Sequence, residues 1–453
     1  MIKGLKFFSP FFLIKQTMKT RQLPYTKYLI VLCTLIFLTS CHSHKEDILT
    51  DQNDYNAYLS TSNSKVISEL NDQVAFWNSR IKKDSSQIID LSKSAGTYTA
   101  LFNQNADIEM LKKAEQNLHK AAQKAAIGKD NYLRALAQNY ITQHRFKEAK
   151  TIIDSAAQVG GEVSASNFVL FDVAMELGKY KEAKTLLDKE ADFSNYNYLI
   201  RLAKWEDYSG NLDATIQHME NAMRIAERSN IPDLKIWVYT NLADYYGHAG
   251  RIRDSYNHYL KTLTLDPSNA YAKKGIAWIT YSYENNPQEA LRIIEAIEKD
   301  TKSPDYTLLK SEIYEYIGDH KTSEDLKKEF INSATAINYG DMYGAYLVEL
   351  YASQPETADK AIALAKKEVS NRPTPMSYDL LARAHYGKGD YAQALIIAEE
   401  HVIGKTYEPV AQFHTAQIYK ALGMQKDLTP LKKELLETSY ELGPVTYSQI
   451  KNL

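Results

Sequence analysis

Nine turn signals recur down this chain at nearly constant spacing, and that regularity constrains the fold of its 453 residues more than any other feature. They fall at His144, Gly178, Gly210, Gly250, about Asn285, Gly318, about Gln354, Gly389 and Gly423, in steps of 34, 32, 40, 35, 33, 36, 35 and 34 residues. A unit of that size cannot enclose a core by itself, so each copy must bury its apolar face against its neighbours. Residues 236–269 show one copy clearly. Tyr239, Leu242, Ala243 and Tyr246 share a helical face at the i, i+3, i+4, i+7 spacing of a buried stripe. Gly250 supplies the left-handed residue that ends a helix. Ser255, Tyr259 and Thr262 then line a second helix, and Pro267 stops it. Small Ala243 and Ser255 let the two backbones approach while the tyrosines fill the space around them. The spacing predicts paired helices stacked in series.

The pattern Tyr239-x2-Leu242-Ala243-x2-Tyr246, followed by Ser255-x3-Tyr259 and Pro267, resembles the tetratricopeptide repeat (TPR). The departures are Tyr239 for Trp, Ala243 for Gly, Ser255 for Ala and Tyr259 for Phe. The resemblance implies an all-α, right-handed superhelical solenoid of about nine to ten helix hairpins across residues 128–441. Residues 66–127 read as capping helices and a degenerate repeat. Within them 73–95 form one long amphipathic segment, and Ala106-Asp107 make a turn. Residues 442–453 are left as a C-terminal tail. Pro287 and Pro355 replace glycine in two bends, and the 40-residue step ends in an extended helix terminus at RSNIPD. Ser303-Pro304, Thr374-Pro375 and Thr429-Pro430 place a capping hydroxyl before proline at a helix start.

The N-terminus reads as processing signal, not fold. Residues 1–40 hold six Lys or Arg and no acid, and the ten-residue apolar run at 29–38 is short for a spanning helix but suits a signal peptide. Met18 is the more natural start, because the residues after it make an ordinary basic leader. Leu38-Thr39-Ser40-Cys41 resembles the bacterial lipobox, which implies that Cys41 carries lipid and becomes the first residue. With Cys33 removed and Cys41 blocked, no thiol is left for a disulfide or metal site. Residues 41–65 are polar and aperiodic and read as a flexible tether. His42 and His44 on such a tether are solvated. Lys45-Glu46-Asp47 resembles the export tag of Bacteroidetes-type surface lipoproteins, and His42 in place of Asp after the cysteine favours the outer membrane. The expected location is the bacterial cell envelope, with attachment through Cys41.

The composition, 44% hydrophobic and 24% charged, suits a folded soluble body and not a disordered one. Past residue 40 the chain carries 48 basic against 56 acidic side chains, evenly scattered, which argues against a nucleic-acid partner. There is no HExxH, Gly-rich phosphate loop or GxSxG. His385 and His401 sit at packing positions of one hairpin with His414 nearby in sequence, whereas His218 and His258 read as exposed or boundary positions. Glu399-Glu400 and Lys366-Lys367-Glu368 read as solvated faces. No cofactor, metal or catalytic activity is expected. In tetratricopeptide proteins the first helix of each pair lines a concave groove. Carried over by alignment, the groove residues are Arg134, Gln138, Asp172, Lys204, Asp207, Trp237, Asp244, Lys274, Trp278, Tyr281, Arg383 and Tyr386. Trp237, Trp278 and Tyr281 beside Lys204, Asp207, Asp244 and Lys274 suit a peptide-binding surface, in which rigid aromatics bind and charges set register. The alternative is that these aromatics pack between repeats; Trp205 and Tyr208 read as core. The reading is a scaffold for a protein or peptide of the cell envelope. The other readings are a substrate-capture lipoprotein for glycans or small molecules, whose relatives resembling SusD carry more Trp than the four here, and an outer-membrane assembly accessory resembling BamD-type lipoproteins.

Overall fold

The computed structural model describes residues 48–453 apart from 85, 302, 337 and 338. The leader, Cys41, His42, His44 and Lys45-Glu46-Asp47 lie outside the described residues. Two helices, α1 (Gln52–Leu59) and α2 (Ser64–Arg80), come first. Ten hairpins follow. The early ones are α3–α4 (Ile88–Asn105, Ile108–Lys124), α5–α6 (Lys129–Thr142, Phe146–Val159), α7–α8 (Val163–Glu176, Tyr180–Lys189) and α9–α10 (Tyr196–Tyr208, Leu212–Arg228). The middle ones are α11–α12 (Pro232–His248, Ile252–Leu265), α13–α14 (Ala270–Trp278, Pro287–Glu298) and α15–α16 (Asp305–Tyr316, His320–Ala336). The last are α17–α18 (Gly344–Ala352, Ala358–Asn371), α19–α20 (Pro375–Gly387, Tyr391–His401) and α21–α22 (Pro409–Ala421, Gln425–Leu435), and α23 (Ser439–Lys451) ends the chain. There is no strand among the described residues.

The turns follow the predicted register. His144, Asn285 and six glycines from Gly178 to Gly423 all have positive φ, as does Ala106 in the degenerate hairpin. At Gln354 a 3-10 turn, Pro355–Thr357, takes the place of the left-handed residue. Each hairpin packs on the next through a local apolar cluster, so the core is a series of seven clusters and not one globule. Ala243 and Ser255 are fully buried where α11 meets α12, as their size requires.

Several expectations are corrected. The segment 73–95 is two helices, because the polar KKDSSQ stretch after Arg80 interrupts it. Pro430 lies inside α22 and Pro304 caps α15, whereas Thr374 caps α19 with Pro375 at its first position as expected. The tail is helical and buries Gly443, Pro444 and Ile450. Residues 49–63, assigned to the tether, are docked. Tyr55 is 1% exposed and donates to Glu289 Oε1 at 2.7 Å. The amides of Leu49 and Thr50 donate to Glu284 Oε1 at 2.7 and 2.6 Å. Tyr55, Tyr58 and Leu59, one short face at i, i+3, i+4, pack against a core cluster together with Leu49.

The superhelix also touches itself. Asn371 Nδ2 donates to the carbonyl of His144 at 3.0 Å across 227 residues, and Arg372 pairs with Glu176 at 3.2 Å across 196. Phe330, Tyr339 and Tyr343 share a cluster with Ile108 and Leu111. After about six hairpins, therefore, the inter-hairpin loops of the later turn rest on the hairpin bends of the earlier one. Gly178 and Gly210 show how closely. A Cβ on Gly178 would lie 2.5 Å from the Pro373 carbonyl oxygen, and one on Gly210 2.5 Å from the Tyr407 ring. At both places positive φ and contact demand glycine together.

Candidate functional site

The first helices of the hairpins line the inner face, and their polar side chains form a ladder from one hairpin to the next. Asp172 accepts from Arg201 Nη2 at 2.6 Å, Glu176 from Lys204 Nζ at 3.0 Å, and Glu349 from Arg383 Nε at 3.2 Å. Arg134 is buried against Asp130 at 2.7 Å and reaches Glu162 in the following hairpin at 3.4 Å. His414, 5% exposed, sits between Asp379 at 2.9 Å and Glu349 at 3.6 Å. Burial lowers its proton affinity, but the two carboxylates outweigh that and raise its pKa. Apart from Asp130–Arg134 and Glu349–His414, these pairs lie about one repeat apart in sequence, so they fix the rotation of each hairpin on its neighbour.

Of the groove residues expected from sequence, Arg134, Asp172, Lys204 and Arg383 belong to this ladder. Gln138 is exposed, Lys274 half-buried and Asp207 buried. Trp237 is 41% exposed and stands edge-on to Tyr196 at 6.3 Å, and Tyr386 packs beside Tyr391 at 5.2 Å. Trp205 and Tyr208 pack at the edge of a buried cluster. His258 is buried, with Nδ1 2.8 Å from the Asp254 carbonyl, which corrects its boundary assignment. Glu368 is also buried, paired with Arg372 at 3.2 Å, and is not part of a solvated face. His385 contacts Asp390 and His401 stacks on Tyr378 at 3.7 Å, so neither converges on His414.

Trp278 and Tyr281 do come together, with ring centroids 5.6 Å apart, whereas Asp244 is held separately by Tyr259 and Tyr271. Helix α13 ends in a π-helical turn, Ile279–Tyr283, which re-aims its side chains. Residues 439–445 lie across this turn. Trp278 Nε1 and Ser282 Oγ both donate to the Tyr440 carbonyl, at 3.1 and 2.7 Å. The Tyr281 hydroxyl donates to Glu312 Oε1 at 3.2 Å. His248 pairs with the buried Glu441 carboxylate at 3.0 Å. The Tyr440 ring covers Gly247, where a Cβ would be 2.8 Å from it. Gly443 has φ 77° and breaks the helix, and a Cβ there would meet Glu312 at 2.7 Å and Trp278 at 3.0 Å.

Burial around this segment shifts several charges. Glu312 is pushed up to about 7 by burial, only partly relieved by the Tyr281 bond. Asp244 is raised by burial against the bonds it accepts from Tyr259 and Tyr271, at 2.6 and 2.5 Å. Burial pulls His248 down, but Glu441, Asp244 and Asp207 together raise it. Sequence reading missed Glu312, His248, Ser282 and the whole of 439–445. The one available signal was the Gly-Pro break within an otherwise helical tail.

Helix pairing, left-handed bends and the repeat period decide the architecture. The fold is a tetratricopeptide-like solenoid. No protein-family profile matches the sequence, and no curated protein does. Among solved structures, the solenoid is similar to a tetratricopeptide repeat protein from Parabacteroides merdae, at 15% identity and a TM-score of 0.38 over 56% of this chain and 94% of that one. It is also similar to PilF of Pseudomonas aeruginosa, at 15% identity and 0.35 over 44% and 89% of the chains. The third is the Cut9–Hcn1 hetero-tetramer of the APC/C, at 12% and 0.34 over 94% and 98%.

Proposed function

We propose that this chain is a non-catalytic, lipid-anchored scaffold that holds a peptide segment of an envelope protein on its inner face. One observation carries the reading. The end of α13 already grips a stretch of backbone through Trp278 and Ser282, side chains that both donate to one carbonyl. Contacts to main chain give affinity for any extended segment, and the flanking His248 and Gly247 give selectivity.

Anchoring is proposed from the lipobox-like residues ending at Cys41. With the Leu49 and Thr50 amides pinned to Glu284, only residues 42–48 separate the body from the lipid. Seven residues reach at most about 25 Å, which keeps the solenoid close against the membrane. Cys41→Ala is expected to move the protein from the membrane to the soluble fraction and to abolish incorporation of labelled fatty acid. Cross-linking in cells followed by capture tests the inner face. Lys274→Glu combined with Trp278→Ala is expected to lose the cross-linked partner; unchanged capture sinks the proposed face.

A further inference from the structure

Loops of the later turn cover the bends of the earlier one at Gly178, Gly210 and Gly247, through Pro373, Tyr407 and Tyr440. That series stops where the chain ends. At the Gly318 bend a Cβ would meet no atom within 4 Å among the described residues. The residue before the left-handed glycine shows the difference. Leu177, before the covered Gly178, is 7% exposed, whereas Ile317, before Gly318, is 41% exposed. Tyr316 beside it and Tyr283 at the preceding bend are 38% and 40% exposed. The two bends adjoin, because the Tyr316 hydroxyl donates to Asn285 Oδ1 at 3.4 Å and its ring stands edge-on to Tyr281 at 5.6 Å.

The start of the described chain lies at the same place. Glu284 Oε1 accepts the Leu49 and Thr50 amides, and its Oε2 accepts the Thr50 hydroxyl at 2.9 Å. Ile48, immediately before them, is 79% exposed. Ile48, Tyr283, Tyr316 and Ile317 therefore make one exposed patch, and the chain leaves that patch toward Cys41. Residues 42–48 reach at most about 25 Å, so whatever holds Cys41 is kept against these bends. The side chains suit a lipid surface. A tyrosine ring with its hydroxyl sits at headgroup level, and an aliphatic side chain beside it enters the acyl boundary. Asp319 and Lys321 next to the patch are both exposed and offset each other, so no basic cluster selects for anionic lipid.

We infer that the bends at Asn285 and Gly318 are the face on which the solenoid lies against the membrane, with Ile48, Tyr283, Tyr316 and Ile317 in the headgroup layer. The inference rests on the lipid anchor proposed above and adds an orientation to it. Helices α13 and α15 stand with their C-terminal ends on the lipid. The inter-hairpin loops of the earlier turn, Ile231 among them, face away at roughly 20 Å, the length of α13 with its π-turn.

Once Cys33 is removed and Cys41 acylated, the chain has no other thiol, so one introduced cysteine can carry a fluorophore. The full-length protein is extracted from bacterial membranes, labelled, and reconstituted into vesicles of phosphatidylcholine, which has no net charge, with and without a lipid spin-labelled near its headgroup. The fluorophore at Ile317→Cys is expected to be quenched at least about twofold more than at Ile231→Cys, which is exposed on the opposite edge. Adding Tyr283→Glu and Tyr316→Glu to Ile317→Cys is expected to lower its quenching to the Ile231→Cys level. Protein that floats with the vesicles yet is quenched equally at the two positions overturns the inference and leaves the anchor standing. Quenching at Ile317→Cys that survives both glutamates does the same, since the leash alone would then explain it. Protein that neither takes up labelled fatty acid nor floats refutes the anchor and the inference together.

Discussion

Replacing Glu312 with glutamine isolates the cost of a carboxylate held under the C-terminal segment. Glu312 is raised from 4.5 to about 7 by burial, and its Oε1 accepts the Tyr281 hydroxyl. A folded-state pKa above the unfolded one means that the folded protein binds the proton more tightly. Stability from this group is therefore full below about pH 4.5, falls as pH rises, and has been lost once pH exceeds about 7. A shift of that size corresponds to about 3 kcal/mol, a ceiling because the side chain is only half-buried and keeps some water. The glutamine side chain would retain the acceptor for Tyr281 and carry no charge. Repeat proteins open locally, so the measurement belongs on α15 and α23 and not on a global midpoint. Glu312→Gln and native protein are compared by hydrogen-exchange mass spectrometry at pH 4.5, 6 and 8. Near pH 4.5 the two are expected to match. At pH 8 the variant is expected to protect α15 and residues 439–451 more strongly, by up to about a hundredfold in rate. The variant keeps some pH dependence from His248, whose raised pKa gives stability that is present below about 6.5 and lost as pH climbs through its folded value. A variant less protected than the native chain at pH 8, or a difference independent of pH, refutes the reasoning.

Two further outcomes are expected. Tyr55→Phe keeps the buried ring but withdraws the hydroxyl from Glu289, whose carboxyl is held below its usual range, against burial, by bonds from Arg292 and Tyr55. It should cost about 1–2 kcal/mol and speed proteolytic cleavage near residues 48–63. Gly210→Ala places a Cβ 2.5 Å from Tyr407 at φ 74°, so strain and overpacking should together cost about 2–4 kcal/mol. Small-angle scattering should then show a longer particle as the two superhelical turns part, and Tyr407→Ala should relieve much of the defect.

The hairpins could be read from sequence because their causes are local. A stripe such as Tyr239, Leu242, Ala243 and Tyr246, a left-handed residue at Gly250 and a stop at Pro267 each act within a few residues, and nine repetitions average out the single departures. Which residues fall on the first helices was legible to the same extent. Alignment placed Asp172, Lys204 and Arg383 on the first helices, but not the partners Arg201, Glu176 and Glu349 that hold them. Those pairs depend on the angle between hairpins, which no residue pattern states. The tether boundary failed for a related reason. Residues 49–63 read as tether because what holds them, chiefly bonds to Glu284, Glu289 and Asp300, lies far away in the chain.

The amino-acid sequence alone determined that this is a stack of paired helices, where each bend falls, and that the N-terminus carries a lipobox-like cysteine. Only the tertiary structure decided that the coil closes on itself after about six hairpins and that residues 439–445 pack on the ends of α11 and α13. A small rotation per hairpin accumulates into that closure, and contacts across some 200 residues arise from the sum of rotations and not from any one repeat.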